Sequence, residues 1–149
     1  MILVSACLAG VSCRYDGTSS LNPAVADLVR RGEALAVCPE TLGGLPVPRV
    51  PCEIVSAEGQ AVVVSRDGRD FTAAFLLGAR KTLDTALEAG VSRALLKRRS
   101  PSCGIGEIYD GSFTGRLTRG DGLAAALLAE NGIEVIPGDE YGGEADHEL

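Results

Sequence analysis

The chain has 149 residues, 46% of them hydrophobic and 23% charged, the balance of one ordinary globular domain with a core of its own. A formal net charge of −6 excludes a protein that grips duplex nucleic acid through a basic face, and no apolar run approaches the ~20 residues of a membrane span. Aromatic content is 4% with no Trp, so Leu, Val, Ile and Ala must build the core, which suits thin strands packed under helices.

Ile2 to Cys7 is a short apolar run and reads as the first strand. Leu8 to Ser20, with Gly10, Asp16, Gly17 and several serines, is a loop. Asn22 and Pro23 open a helix as N-cap and first helical residue. Val25, Leu28 and Val29 form its apolar face, and Gly32 ends it. Ala34 to Val37 is a second strand, stopped at Cys38–Pro39. From Pro39 to Pro51 the density of Pro and Gly forbids regular structure and makes a stiff loop. Glu53–Ser56 and Ala61–Ser65 read as two short strands joined by a turn at Glu58–Gly59. The spacing of Phe71, Phe75, Ala79, Leu83 and Leu87 predicts a helix over Asp70–Ala89. Arg93 to Lys97 is the next strand, and SPSCGIGEIYDGSFTG after it is a long turn-rich loop. Leu123 to Asn131 is a helix closed by Gly132, and Ile133 to Ile136 is the last strand. From Pro137 the chain is acidic and Gly-rich, the composition of a frayed end.

Strands alternating with helices predict a single-domain α/β fold: a Rossmann-like parallel sheet with helices on both faces. The 53–65 pair is a small antiparallel appendage. The domain is expected over residues 1–137, with 138–149 as an acidic C-terminal tail. The N-terminus MILVSACLAG lacks the positive start of a signal peptide, which predicts a cytoplasmic protein.

In a reducing compartment five cysteines act as thiols, metal ligands or catalytic groups rather than as a disulfide framework. The one histidine, His147, sits in the Gly/Glu/Asp-rich end, which excludes Ser-His-Asp and Cys-His catalysis and histidine-rich zinc sites. In open parallel sheets, ligands bind beyond the carboxyl ends of the strands. Cys7 and Cys38 close the first two strands, and Cys103 follows the strand ending near Lys97, so three distant cysteines map to one sheet edge. Three thiolates without an obvious fourth ligand suit a [4Fe–4S] cluster with one iron free of protein ligands; a structural zinc site wants four ligands and paired CxxC spacing. Cys13 and Cys52 read as small buried residues, with Cys13 a reserve ligand should Cys7 fail and Cys52 set apart ahead of its strand.

Four segments carry a resemblance: SACLAGVSCRYDG, VCPETLGGLPVPR, LLKRRSPSCGIGEIYDGSFTG and GDGLAAALLAENGIEV. Together they resemble the thiouracil desulfurases, formerly a bacterial family of unknown function, over nearly the whole chain to about Ile136. The resemblance implies a [4Fe–4S] cluster on Cys7, Cys38 and Cys103, a catalytic acid/base at Glu40 and a polar partner at Ser100. It further implies non-redox hydrolysis of a thiocarbonyl in a small thiolated nucleobase, with release of sulfide.

Tyr15 could stack on a ring, with Arg14 or Asp16 bonding its polar edge; an Asp–Gly turn is the plainer reading. Tyr109–Asp110–Gly111 reads as a turn and Lys97–Arg98–Arg99 as a solvated strand end. Asp121 complements the dipole of the last helix. Ser102 carries no assigned task. Two rival functions use the same cysteines: a non-catalytic iron–sulfur, metal or redox sensor, and a thiol enzyme with Cys103 as nucleophile.

Overall fold

The computed structural model describes residues 1–57 and 59–142. Glu58 of the expected turn, His147 and the end of the expected tail lie outside the described residues.

The chain begins with β1 (Ile2–Ser5) and a 3₁₀ turn over Ala6–Ala9, followed by α1 (Pro23–Arg30), β2 (Ala34–Val37) and α2 (Pro39–Leu42). The hairpin β3 (Cys52–Ala57) and β4 (Gln60–Ser65) comes next, then α3 (Thr72–Glu88) and β5 (Arg93–Leu96). A second hairpin, β6 (Glu107–Tyr109) and β7 (Leu117–Arg119), precedes α4 (Leu123–Glu130) and β8 (Glu134–Pro137). The main sheet has the order β2-β1-β5-β8 and every pairing in it is parallel.

Helices cover both faces, as the alternation of elements predicts. Side chains alternate along each strand, so Val4 and Leu95 pack with Val25 and Leu28 of α1 on one face. Leu3, Ala94 and Leu96 pack with Ala86 of α3 and with Ala125 and Leu128 of α4 on the other. Leu3, Val4, Leu95 and Leu96 are all fully buried, the continuous apolar run of strands covered on both sides. Each such Leu or Val contributes about 1.5–3 kcal/mol of burial.

Two of the expected loops contain regular structure. Pro39–Leu42, inside the presumed irregular loop, forms one helical turn with Pro39 at its first position, where the missing N–H costs nothing. This turn packs on α3 through two glycines. A Cβ on Gly78 would lie 1.9 Å from the Pro39 carbonyl oxygen, and one on Gly43 would lie 2.1 Å from that of Ala74. The long loop after β5 contains the β6–β7 hairpin, whose three-residue strands are too short to show a period.

The end of the chain is anchored as far as it is described. Asn22 caps α1 by accepting from the N–H groups of Ala24 and Val25, and its Nδ2 donates to the carbonyls of Gly138, Asp139 and Tyr141 at 2.9–3.2 Å. Asp139 accepts from Lys97 Nζ at 2.6 Å and from the Arg98 N–H at 2.8 Å. Residues 138–142 therefore continue the domain instead of fraying from it. Among the described residues, no helix is long and apolar enough to cross a membrane.

Candidate active site

The carboxyl ends of β1, β2 and β5 open onto a cavity of about 500 Å³. The Lys97 N–H donates to Ser5 Oγ at 2.8 Å and ties the ends of β5 and β1 together there. Cys7 lies two residues beyond β1, in the 3₁₀ turn, rather than closing the strand itself. Cys38 is the N-cap residue of α2, and Cys103 sits in the loop after β5. All three line the cavity, and so do Cys13 and Cys52. Cys52, set apart on sequence grounds, arrives there because the β3–β4 hairpin does not join the main sheet.

The loop of Cys103 is held by α4. The carbonyls of Pro101, Ser102 and Gly104 accept the N–H groups of Leu123, Ala124, Ala125 and Gly122 at 2.7–3.0 Å. Loop carbonyls thus cap a helix whose N-cap residue, Gly122, has no side chain to do it. The same contact requires the glycine, because a Cβ there would lie 2.5 Å from the Ser102 carbonyl carbon. Asp121 is used locally, accepting from the Gly106 N–H at 2.7 Å.

Glu40 projects from α2 with its side chain only 14% exposed. Arg49 Nε donates to Oε1 at 2.9 Å, and Ser102 Oγ donates to Oε2 at 2.7 Å. Arg49 Nη2 also donates to the Cys13 carbonyl at 2.9 Å. Ser100 stands one step away: its Oγ accepts the Cys103 N–H at 2.7 Å and lies 3.4 Å from Ser102 Oγ. The direct partner of Glu40 is therefore Ser102, together with Arg49, and neither carried a role from the sequence. Arg49 is fenced by Pro46, Pro48 and Pro51, and an arginine fixed in so stiff a loop is the signal that could have found it. Ser102 has no comparable signal, since its partner is 62 residues away.

Arg14 and Tyr15 line the cavity, whereas Asp16 does not. Asp16 is exposed and accepts from the N–H and Oγ1 of Thr18, the plain turn. Lys97, Arg98, Arg99 and Tyr109, read as solvated or turn residues, also line the cavity.

Burial pushes the Cys7 thiol up to about 11, with the neighbouring Cys38 adding to the shift. Burial pushes Cys103 up to about 12. Cys38 is held below the ordinary thiol value, chiefly by the neighbouring Cys13 side chain, and the same pairing raises Cys13; the Cys38 thiol itself points at the Cys13 carbonyl, 3.8 Å away. The pocket therefore disfavours bare thiolates at Cys7 and Cys103. A bound cationic group inverts that preference and displaces the protons.

Among the described residues, no three His, Cys, Asp or Glu side chains converge tightly enough for a single metal ion. The donors are thiols spread around a roomy cavity. That set fits a polynuclear iron–sulfur group, which takes thiolate ligands, better than a closed mononuclear zinc centre. Cys7, Cys38 and Cys103, expected as ligands, could hold it, and Cys13 and Cys52 line the same cavity.

Thiols at the carboxyl edge of a parallel sheet, beside a braced carboxylate, define an α/β protein suited to thiolate-bound metal chemistry. The chain belongs to the 2-thiouracil desulfurase family, whose sequence model matches residues 2–140. It is similar to a solved structure described as the [4Fe-4S]-dependent thiouracil desulfidase TudS: 45% identity, TM-score 0.85, covering 97% of this chain and 94% of that one. It is also 43% identical to the uncharacterized protein YbbK of Bacillus subtilis (strain 168), with 94% of this chain and 97% of that protein covered.

Proposed function

We propose that the protein removes sulfur from a small thiouracil-type base by non-redox hydrolysis of its C=S bond. In this reading Cys7, Cys38 and Cys103 hold a [4Fe–4S] cluster and leave one iron without a protein ligand. The observation that carries it is the meeting of these thiols, from the ends of three adjacent strands, with the braced Glu40 carboxylate at one cavity.

A cluster held by these thiols would supply thiophilic Lewis acidity toward a thiocarbonyl. The chain's own groups do the proton work. Glu40 takes a proton from the attacking water and returns it as sulfur departs. Arg49 and Ser102 keep both carboxylate oxygens oriented, so little rearrangement is needed when charge develops. Ser100 fixes the Cys103 backbone and Ser102 together. Water supplies the oxygen, sulfur leaves as sulfide, and no electron is exchanged. The cytoplasm, where thiols stay reduced, is the compartment this chemistry needs. The sensor alternative has no counterpart in the solved relative, which is described as an enzyme.

The test is anaerobic purification, reconstitution with iron and sulfide, a visible spectrum, and an assay of sulfide release from 2-thiouracil. A cluster band lost in Cys38→Ala, with sulfide release in the wild type, supports site and reaction together. Glu40→Gln should keep the cluster band and lose about 10²-fold or more in kcat. Full turnover by a loaded Glu40→Gln protein would remove Glu40 from the mechanism.

A further inference from the structure

Part of the cavity wall is neither thiol nor braced carboxylate. It is the tip of the β6–β7 hairpin, carrying Phe113, with Glu53 of β3 and Arg66, the residue after β4, that hold it. Phe113 has φ 59°, in the left-handed region that side chains other than glycine rarely adopt. Such strain persists where surrounding groups over-determine it, and it clusters at ligand sites. Arg99 and Phe113 are the non-glycine residues with positive φ among the described residues, and both line this cavity.

The groups that over-determine Phe113 reach across from the other hairpin. Glu53 Oε1 accepts the N–H groups of Gly111 at 2.9 Å and Phe113 at 3.1 Å. Arg66 Nη2 donates to the Phe113 carbonyl at 3.0 Å, and its guanidinium carbon lies over the ring, 5.6 Å from the centroid. Gly111 sits so close to β3 that a Cβ there would be 2.9 Å from the Ile54 carbonyl oxygen. Composition sharpens the point. The chain has three Tyr, three Phe and no Trp, and three of those six, Tyr15, Tyr109 and Phe113, line the cavity.

We infer that Phe113 is the stacking wall for the planar ring of the substrate, and that Glu53 and Arg66 are positioning residues that set the plane of that wall. The inference rests on the desulfuration proposed above, which supplies a flat heteroaromatic ring as the ligand. Arg66 occupies one face of the Phe113 ring, and the pyrimidine takes the other. Every base presents a π-face, so such a wall selects flat rings over puckered ones without reading their edges. The wall therefore favours 2-thiouracil over its 5,6-dihydro analogue, whose ring is not aromatic.

The experiment uses cluster-loaded protein and reads two quantities: kcat and KM for sulfide release from 2-thiouracil, and the calorimetric Kd for uracil, which is not consumed. Phe113→Asn removes the ring but suits the left-handed backbone, so its Tm should hold or rise. Its KM and its uracil Kd should both rise about 10-fold, with kcat within about 2-fold. Phe113→Tyr should keep wild-type affinity. Glu53→Ala should weaken affinity as Phe113→Asn does, and Glu53→Gln, which keeps an acceptor oxygen, should restore it. The Glu53→Ala/Phe113→Asn double variant should be no weaker than Phe113→Asn alone. Unchanged uracil affinity in Phe113→Asn, additive losses in the double variant, or no uracil binding by the wild type would each overturn the inference. Failure of the wild type to release sulfide would instead sink the desulfuration reading, while the uracil titration still judges the wall.

Discussion

Gly78→Ala tests the joint that places Glu40 and Cys38. Two effects oppose each other in this variant. Alanine is favoured over glycine inside a helix by about 1 kcal/mol, so propensity alone predicts a more stable protein. The new methyl, however, would lie 1.9 Å from the Pro39 carbonyl oxygen, 2.9 Å from its carbon and 3.2 Å from the Gly43 nitrogen. Those are backbone atoms and cannot rotate away. Ordinary contact distances require α2 and α3 to part by more than about 1 Å. Overpacking of this kind costs about 1–3 kcal/mol or more, so it outweighs the propensity gain. At roughly 2–4 °C per kcal/mol for a domain of this size, Tm should fall by several degrees. Turnover should fall further than stability alone explains, because α2 carries Glu40 and is preceded by Cys38. Thermal unfolding followed by circular dichroism reads the first effect, and sulfide release at a temperature where the variant is folded reads the second. An unchanged or raised Tm would refute the close approach of Gly78 to Pro39.

Asn22→Ala loses the α1 cap and the Asn22 bonds to the carbonyls of Gly138, Asp139 and Tyr141, of which Gly138 keeps the Tyr141 N–H as donor. The loss should be about 1–3 kcal/mol in urea unfolding, combining the cap with hydrogen bonds to part-buried carbonyls, and proteolysis near residue 140 should accelerate. In protein without its metal group, iodoacetamide should modify Cys38 first at neutral pH, since a lowered pKa leaves more thiolate there. Its rate should level off as pH rises above that pKa. Rates at Cys7 and Cys103 should keep climbing toward pH 11–12. Cys13→Ala removes the neighbouring side chain that lowers Cys38 and should slow its reaction at pH 7; peptide mapping that shows equal rates for wild type and variant would contradict this.

The parallel sheet was legible because its strands are short apolar runs separated by helices with clear caps, such as Asn22–Pro23 and Gly32. The meeting of Cys7, Cys38 and Cys103 at one cavity followed from their places after three parallel strands and the rule that ligands gather at carboxyl ends. What escaped was held by contacts between distant segments. Pro39 was read as a breaker although it opens a helical turn, because only packing against Gly78 shows that the turn is worth forming. Residues 107–119 hide a hairpin whose tip is fixed by Glu53 and Arg66 rather than by its own turn chemistry. Ser102 and Arg49 are unremarkable letters until Glu40 lies between them. Composition misjudged residues 138–142, since acidic and Gly-rich chain frays only where nothing like Asn22 receives its carbonyls.

The strand order has a consequence for how the protein matures. The thiols of Cys7 and Cys38 follow β1 and β2, which pair early in the chain, but the third comes from the loop after β5, which must dock on the far side of β1. No two of the three are close in sequence, and the loop of Cys103 is closed by α4 from later still. A nascent or unfolded chain therefore offers no preassembled donor set of the kind that closely spaced cysteines provide. With the ligand set proposed above, delivery of the cluster must wait for a finished sheet, and a chain arrested before α4 should emerge with its thiols unclaimed.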